Sequence, residues 1–134
     1  MAKNSNDLLW GTGRRKTSIA QVRLTPQGEG KVTINSKPAE VYFRGEHRQI
    51  TDVLSPLKTE GAGVYNVSVK VVGGGITGQA GAIRHGIARA LAKIDEKFKK
   101  AMRAQGFLTR DDRMVERKKS GQPKARKRFQ YSKR

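Results

Sequence analysis

Cysteine is absent from this 134-residue chain, and histidine occurs only at positions 47 and 85. No disulfide or thiolate metal site can form, and two histidines do not close a structural zinc site. Apolar runs are also scarce. No stretch of about 18 residues is apolar enough to cross a bilayer, and neither a secretory leader nor a lipidation pattern is seen, so a soluble, intracellular protein is expected. Acid is the third scarcity. Eleven Asp and Glu oppose 29 Lys and Arg, a formal net charge of +18. An excess of this size points to a polyanionic partner, because each phosphate neutralised by Lys or Arg releases condensed counterions.

Half of that excess lies in the last 18 residues, Arg117–Arg134, which carry nine Lys or Arg, no acid and little apolar content. Such a segment buries too little surface to offset backbone ordering at about 1–2 kcal/mol per residue. Alone in water it is expected to be an unfolded arm. Gly121 and Pro123 break any helix and are expected to keep it extended, giving a reach of about 60 Å at most. Phe129 and Tyr131, embedded among cations, offer stacking surfaces worth about 1–3 kcal/mol per base. The arm is either a non-specific basic tail or a probe delivered to a particular RNA.

The remainder divides into a polar lead-in at 1–9, a globular part at 10–109 and a charged connector from 110 onward. Trp10–Leu24 reads as one long strand, with Ala20, Val22 and Leu24 alternating inward. Gly11 and Gly13, beside Arg14, Arg15 and Lys16, suggest either a bulged edge that an outside backbone approaches or an ordinary solvated strand end. Gln27–Gly30 is expected to be a hairpin turn leading into a second strand at Lys31–Ile34. Asn35–Pro38 turns the chain again, and Ala39–Phe43 is extended or a short helical turn. His47–Leu54 has helical spacing up to Ser55-Pro56. Tyr65–Val72 alternates as the clearest strand, and two helices follow, at about Gly78–Ile94 and Glu96–Gln105, the second ending at Gly106. The pattern is α+β, with about four strands.

Gly73–Gly78 matches the G-x-G-x-x-G of dinucleotide-binding turns, but the helix after it leads to another helix, not to a second parallel strand. Gln79 stands where a P-loop needs Lys. Along the first long helix, Ile83, Ile87, Leu91 and Ile94 form the core stripe, with Gly78, Ala82, Gly86 and Ala90 as a small-residue stripe beside it. His85, Arg89 and Lys93 interleave with the outer side, where His85 is expected beside solvent or phosphate. Gly86 costs about 1 kcal/mol relative to Ala inside a helix. Either close packing on a sheet or a low cationic face against a sugar-phosphate backbone explains it. Nothing brings Ser, Asp and His together for catalysis, and Asp111-Asp112 reads as local charge balance. A free nucleic-acid-compacting protein and a nucleotide-dependent enzyme are the rival classes.

Four stretches in order, Gly11–Leu24, Gly73–Leu91, Leu108–Arg128 and the terminal Ser132-Lys133-Arg134, resemble the bacterial form of the universally distributed S nine family of small-subunit ribosomal proteins. The resemblance covers nearly the whole chain from Trp10. It implies a two-layer α/β sandwich of the ribosomal-S-five second-domain type, with an unusual left-handed crossover, helices on one face and a long extended C-terminal arm. It further implies a non-enzymatic protein of the ribosome in the cytoplasm, without cofactor, metal or membrane. The implied partners are ribosomal RNA of the subunit head, neighbouring ribosomal proteins and the anticodon stem-loop of peptidyl-site transfer RNA. Carried over by position, Ser132, Lys133 and Arg134 are expected at transfer RNA. Arg14, Arg15 and Lys16, the helix positions Arg84, His85 and Arg89, and the arm positions Arg117, Lys118, Lys119, Lys124, Arg126, Lys127, Arg128, Phe129 and Tyr131 are expected at ribosomal RNA. Tyr131 stands where many members carry Phe.

Overall fold

The structure, a computed structural model, describes residues 9–26, 28–58, 65–128 and 130. Two strands share the region expected to be one: β1 (Leu9–Arg15) and β2 (Ser18–Thr25) pair antiparallel, Trp10 opposite Arg23 and Arg15 opposite Ser18. The reversal needs only Lys16 and Thr17, with Lys16 in the left-handed region at φ 52. The inward positions are odd-numbered before the turn (Gly11, Gly13, Arg15) and even-numbered after it (Ser18, Ala20, Val22, Leu24), so the alternation changes phase there. With glycine at two of the inward positions of β1, that change leaves little hydrophobic signal in the sequence. β3 (Val32–Ile34), β4 (Lys37–Pro38) and β5 (Asn66–Val72) complete the sheet in the order β1-β2-β5-β3-β4.

The expected hairpin at Gln27–Gly30 is corrected by this order. β2 and β3 are not neighbours, because β5 inserts between them, antiparallel to β2 and parallel to β3. Within the connection, Asn66 Oδ1 accepts the backbone N–H groups of Glu29 (3.0 Å) and Lys31 (3.1 Å), tying it to the start of β5. The turn at Asn35-Ser36 does join β3 to β4, with both residues at positive φ. The Asn35 amide then pairs with the backbone N–H and C=O of Val71 at 3.0 and 3.1 Å, extending the ladder by a side chain.

Helices α1 (Ala39–Tyr42) and α2 (His47–Leu54), a 3₁₀ turn at Ser55–Lys58, α3 (Ile76–Ala92) and α4 (Glu96–Ala104) pack on one face of the sheet. α4 starts at Asp95, whose carboxylate accepts the Lys97 N–H, and ends before Gly106 at φ 76, the left-handed position expected there. α3 is the central element, lying across β1 and β2 and meeting α2 and α4. Ile83, Ile87 and Leu91 are fully buried, each worth about 1.5–3 kcal/mol of apolar transfer. Ala20, Val22, Leu24, Val67, Val69 and Val71 meet them from the strands.

The small-residue stripe faces the sheet, not solvent. A methyl group built on Gly86 would come within 2.6 Å of Val22 Cγ2 and 3.0 Å of Gly13 N, while one on Gly13 would meet the Ala82 carbonyl. The backbone that approaches Gly11 and Gly13 is therefore that of α3. Facing glycines let helix and strand come closer than any side chain permits.

Candidate nucleic-acid interface

Alternation along β1 sends Trp10, Thr12 and Arg14 to the face away from the helices and Gly11, Gly13 and Arg15 towards α3. Arg14 and Lys16 are exposed at the hairpin tip. Arg15 is half-buried instead, its stem lying on Gly81, where a Cβ would collide with Arg15 Cδ. Its guanidinium Nε sits 3.4 Å from Asp111 Oδ2, an ion pair without hydrogen-bond alignment.

β1 is an edge strand, and its unpaired backbone groups are met by one row of α3. Arg14 N–H donates to His85 Nδ1 (3.3 Å), Arg89 Nη1 donates to the Thr12 carbonyl (2.8 Å) and Lys93 Nζ to the Trp10 carbonyl (2.9 Å). Positions 85, 89 and 93 advance about 6 Å per step along a helix, and positions 14, 12 and 10 advance about 6.6 Å along a strand. The near-equal pitches let one side-chain row serve every second residue of the edge. Edge strands left open are sites of stray pairing, and this row covers the edge with charge.

His85 is thus corrected from an outward neighbour of solvent to a buried strut, 9% exposed. Since Nδ1 accepts from Arg14, the neutral ring carries its proton on Nε2, which donates to the Leu108 carbonyl at 3.3 Å. Burial pushes its pKa below the ordinary value. The Leu108 carbonyl opposes that shift, and the charges of Arg89, Arg110 and Arg84 add to it. Helical periodicity could not separate His85 from the exposed Arg89 on the same row, because burial here comes from the returning chain at Leu108.

That return sets the origin of the arm. Beyond α4, Phe107 lies under the Arg84 guanidinium, 5.5 Å from carbon to ring centroid, and Leu108 is held by His85. Asp111 then bridges Arg15 and Arg113, the latter through Nη2 at 2.7 Å and Nε at 2.9 Å. Hydrogen bonds from the Arg113 side chain and backbone, with the charges of Arg113 and Arg15 behind them, hold the Asp111 carboxyl well below the usual carboxylate range. Asp111 therefore balances local charge, as expected, and also clamps the connector to the basic hairpin. Arg14, Arg15, Lys16 and the arm's root form one cationic surface.

The arm itself departs from the extended course expected of Gly121 and Pro123. Gly121 adopts φ 80, Gln122 N–H bonds to the Lys119 carbonyl (3.3 Å), and the chain bends back. Arg126 Nε thereby reaches Glu116 Oε2 at 2.9 Å, opposite Lys119 Nζ on Oε1 at 2.9 Å. These contacts depress the Glu116 pKa, Lys119 first. They are solvent-exposed pairs, screened and weakly held, so a phosphate can displace them. Arg117, Lys118, Lys124, Lys127 and Arg128 are exposed. Phe129, Tyr131, Ser132, Lys133 and Arg134 lie outside the described residues.

The glycine turn before α3 is occupied by the protein's own groups. The Gly73 carbonyl accepts from Ser18 Oγ (2.9 Å) and Gln79 Nε2 (3.1 Å), and α3 runs into α4, not into a parallel strand. Among the described residues, no group of His, Asp and Glu is arranged to hold a metal, and no helix is long and apolar enough to cross a membrane.

A family model described as ribosomal protein S9/S16 matches residues 13–134. Small ribosomal subunit protein uS9 of Borrelia duttonii is 55% identical over 125 residues, 92% of this chain and 90% of that one. The protein of the same name from Synechocystis is 52% identical over 126 residues, 93% and 91% of the two chains. That from Borreliella burgdorferi is 53% identical over 129 residues, 96% and 93%.

Proposed function

Because the chain belongs to the ribosomal protein S9/S16 family, we propose that its domain seats on ribosomal RNA of the small-subunit head and its arm reaches the anticodon stem-loop of peptidyl-site transfer RNA. The protein is a structural constituent of the small ribosomal subunit and not an enzyme. The observation that carries the finer reading is the clamp at Asp111, which ties the root of a cationic arm to the Arg14–Lys16 hairpin. A tethered probe needs a fixed origin and a loosely held tip.

A-form helices hide base edges in a deep groove, so the domain's contacts are to phosphate and shape. Arg14, Lys16, Arg84 and Arg89 present cations on the domain, while Arg15 and His85 hold the surface together from within. Arg117–Lys119 and Lys124–Arg128 follow RNA grooves, with Phe129 and Tyr131 stacking. Lys133 and Arg134, with Ser132, contact transfer RNA phosphates. A charge-assisted contact contributes about 1.5–3 kcal/mol, so the tip tunes transfer RNA binding and is not its main source.

Small subunits assembled with a chain lacking residues 132–134 test this. Assembly is expected to be intact, with modestly faster loss of peptidyl-site transfer RNA. Unchanged retention would remove the role of the tip. Loss of residues 117–134 is expected to impair incorporation into the subunit as well.

A further inference from the structure

The helices cover one face of the sheet, and among the described residues no element covers the other. None of the five strands contains Asp or Glu. A groove of about 540 Å³ crosses the open face from Trp10 to the Asn35-Ser36 turn, passing Gln21 and Arg23 on β2 and Ser68 and Lys70 on β5. Trp10 marks its start. It is 47% exposed although Arg23, directly opposite on β2, lays its guanidinium 4.2 Å from the ring centroid. The Trp10 carbonyl is turned outward to Lys93, so this is a non-hydrogen-bonded pair, the cross-strand geometry that brings side chains closest. With Arg23 over the ring, nearly half of the Trp10 surface still remains accessible to a further group.

We propose that this open face is a further RNA site, which takes an unpaired segment with one base stacked on Trp10 and flanking phosphates on Arg23 and Lys70. The inference rests on the reading of the protein as RNA-binding and adds the class of RNA and the place. A paired base is already stacked on its neighbours, so only an unpaired one offers its face to an aromatic ring. A polar groove lined by cations and carrying no carboxylate suits a polyanion, and a second copy of this chain, at +18, is repelled. Gln21 and Ser68 between the cations supply neutral partners for base or ribose.

Trp10 is the sole tryptophan, so its fluorescence reads this face alone, while the anisotropy of a labelled ligand reads total binding, arm included. The full chain is titrated with a hexameric oligoadenylate, a duplex RNA of the same length, polyglutamate and the head portion of small-subunit ribosomal RNA. The oligoadenylate is expected to quench Trp10 and the duplex to bind without doing so. Lys70→Glu should weaken the quenching interaction about tenfold and Trp10→Leu should weaken oligoadenylate affinity similarly, as for loss of a stacked base. Lys99→Glu, an equal charge change on α4, should leave the quenching in place. An anisotropy rise with unchanged Trp10 emission would overturn the site while leaving RNA binding by the arm intact, as would equal weakening by Lys70→Glu and Lys99→Glu. Quenching by polyglutamate alone would assign the face to an acidic protein and overturn it too. No binding of either RNA would overturn the functional reading, and the site with it.

Discussion

Arg89 on α3 and Lys93 at its C-terminal cap, and Lys119 and Arg126 in the arm, are the same residue types put to different uses. On α3 the cations lie beside a stripe of glycine and alanine pressed against the sheet, so their positions relative to β1 are set to within a hydrogen bond, and they close an edge. Among the described residues of the arm no buried apolar side chain fixes the backbone, and the cations rest on Glu116 through exposed pairs that a phosphate can replace. Cation density alone therefore does not say which cations also serve the protein's own backbone. His85 sharpens the point, since it shares a row with Arg89 and yet serves as a buried joint between β1 and the connector.

The comparison breaks most sharply at the helix-sheet contact. Gly86→Leu forces a branched side chain into Val22 and the β1 backbone, and is expected to lower stability by about 3 kcal/mol or more in urea unfolding. Removing residues 117–134 should do the reverse, leaving the urea midpoint unchanged while lowering RNA affinity by about a thousandfold near physiological salt. The slope of log affinity against log salt should fall with it, because nine cations are lost. A truncated chain with an unaltered slope would mean that the domain, and not the arm, supplies the phosphate contacts.

Smaller effects test the joint between the two regions. Asp111→Asn removes the bridge from Arg15 to Arg113. It should free the connector, seen as faster proteolysis after residue 108, and weaken RNA binding several-fold with little change in stability. Because the Asp111 pKa is depressed in the fold, its contribution is present above the unfolded value of about 3.9 and is lost as pH falls through the folded value. His85 acts in a different window. Its folded pKa is also lowered, so between that value and the ordinary value of about 6.5 the unfolded chain binds the extra proton, and stability should decline as pH drops below about 6.5. His85→Gln should flatten that decline in unfolding curves taken from pH 7 to pH 5.

Several elements were legible in the residues alone. Val67, Val69 and Val71 alternate because one face of β5 is buried, and Gly106 stops α4 because it takes a left-handed conformation. His47–Leu54 formed the helix its spacing predicts. The break at Lys16-Thr17 was hidden because the inward positions of β1 are Gly11, Gly13 and Arg15, which carry no hydrophobic period whose change of phase against Ala20, Val22 and Leu24 could be read. The place of β3 was hidden for a different reason: Gly28–Gly30 is compatible with a tight hairpin, and only the preference of β5 for both neighbours sends the chain past it. In the site, the cations were found by composition, but which of them face a partner depended on contacts from residues far along the chain.

The sequence by itself determined the cationic excess, the absence of disulfide and thiolate-metal chemistry, the family and most of the elements, because charge, residue type and local period are properties of neighbours in the chain. Only the tertiary structure decided that the glycines of β1 and α3 serve each other, that His85 is buried, that the arm starts beside Arg15, and that the described elements all pack on one face of the sheet. Each of these depends on groups tens of residues apart meeting within a few ångströms, and no local pattern encodes such a meeting.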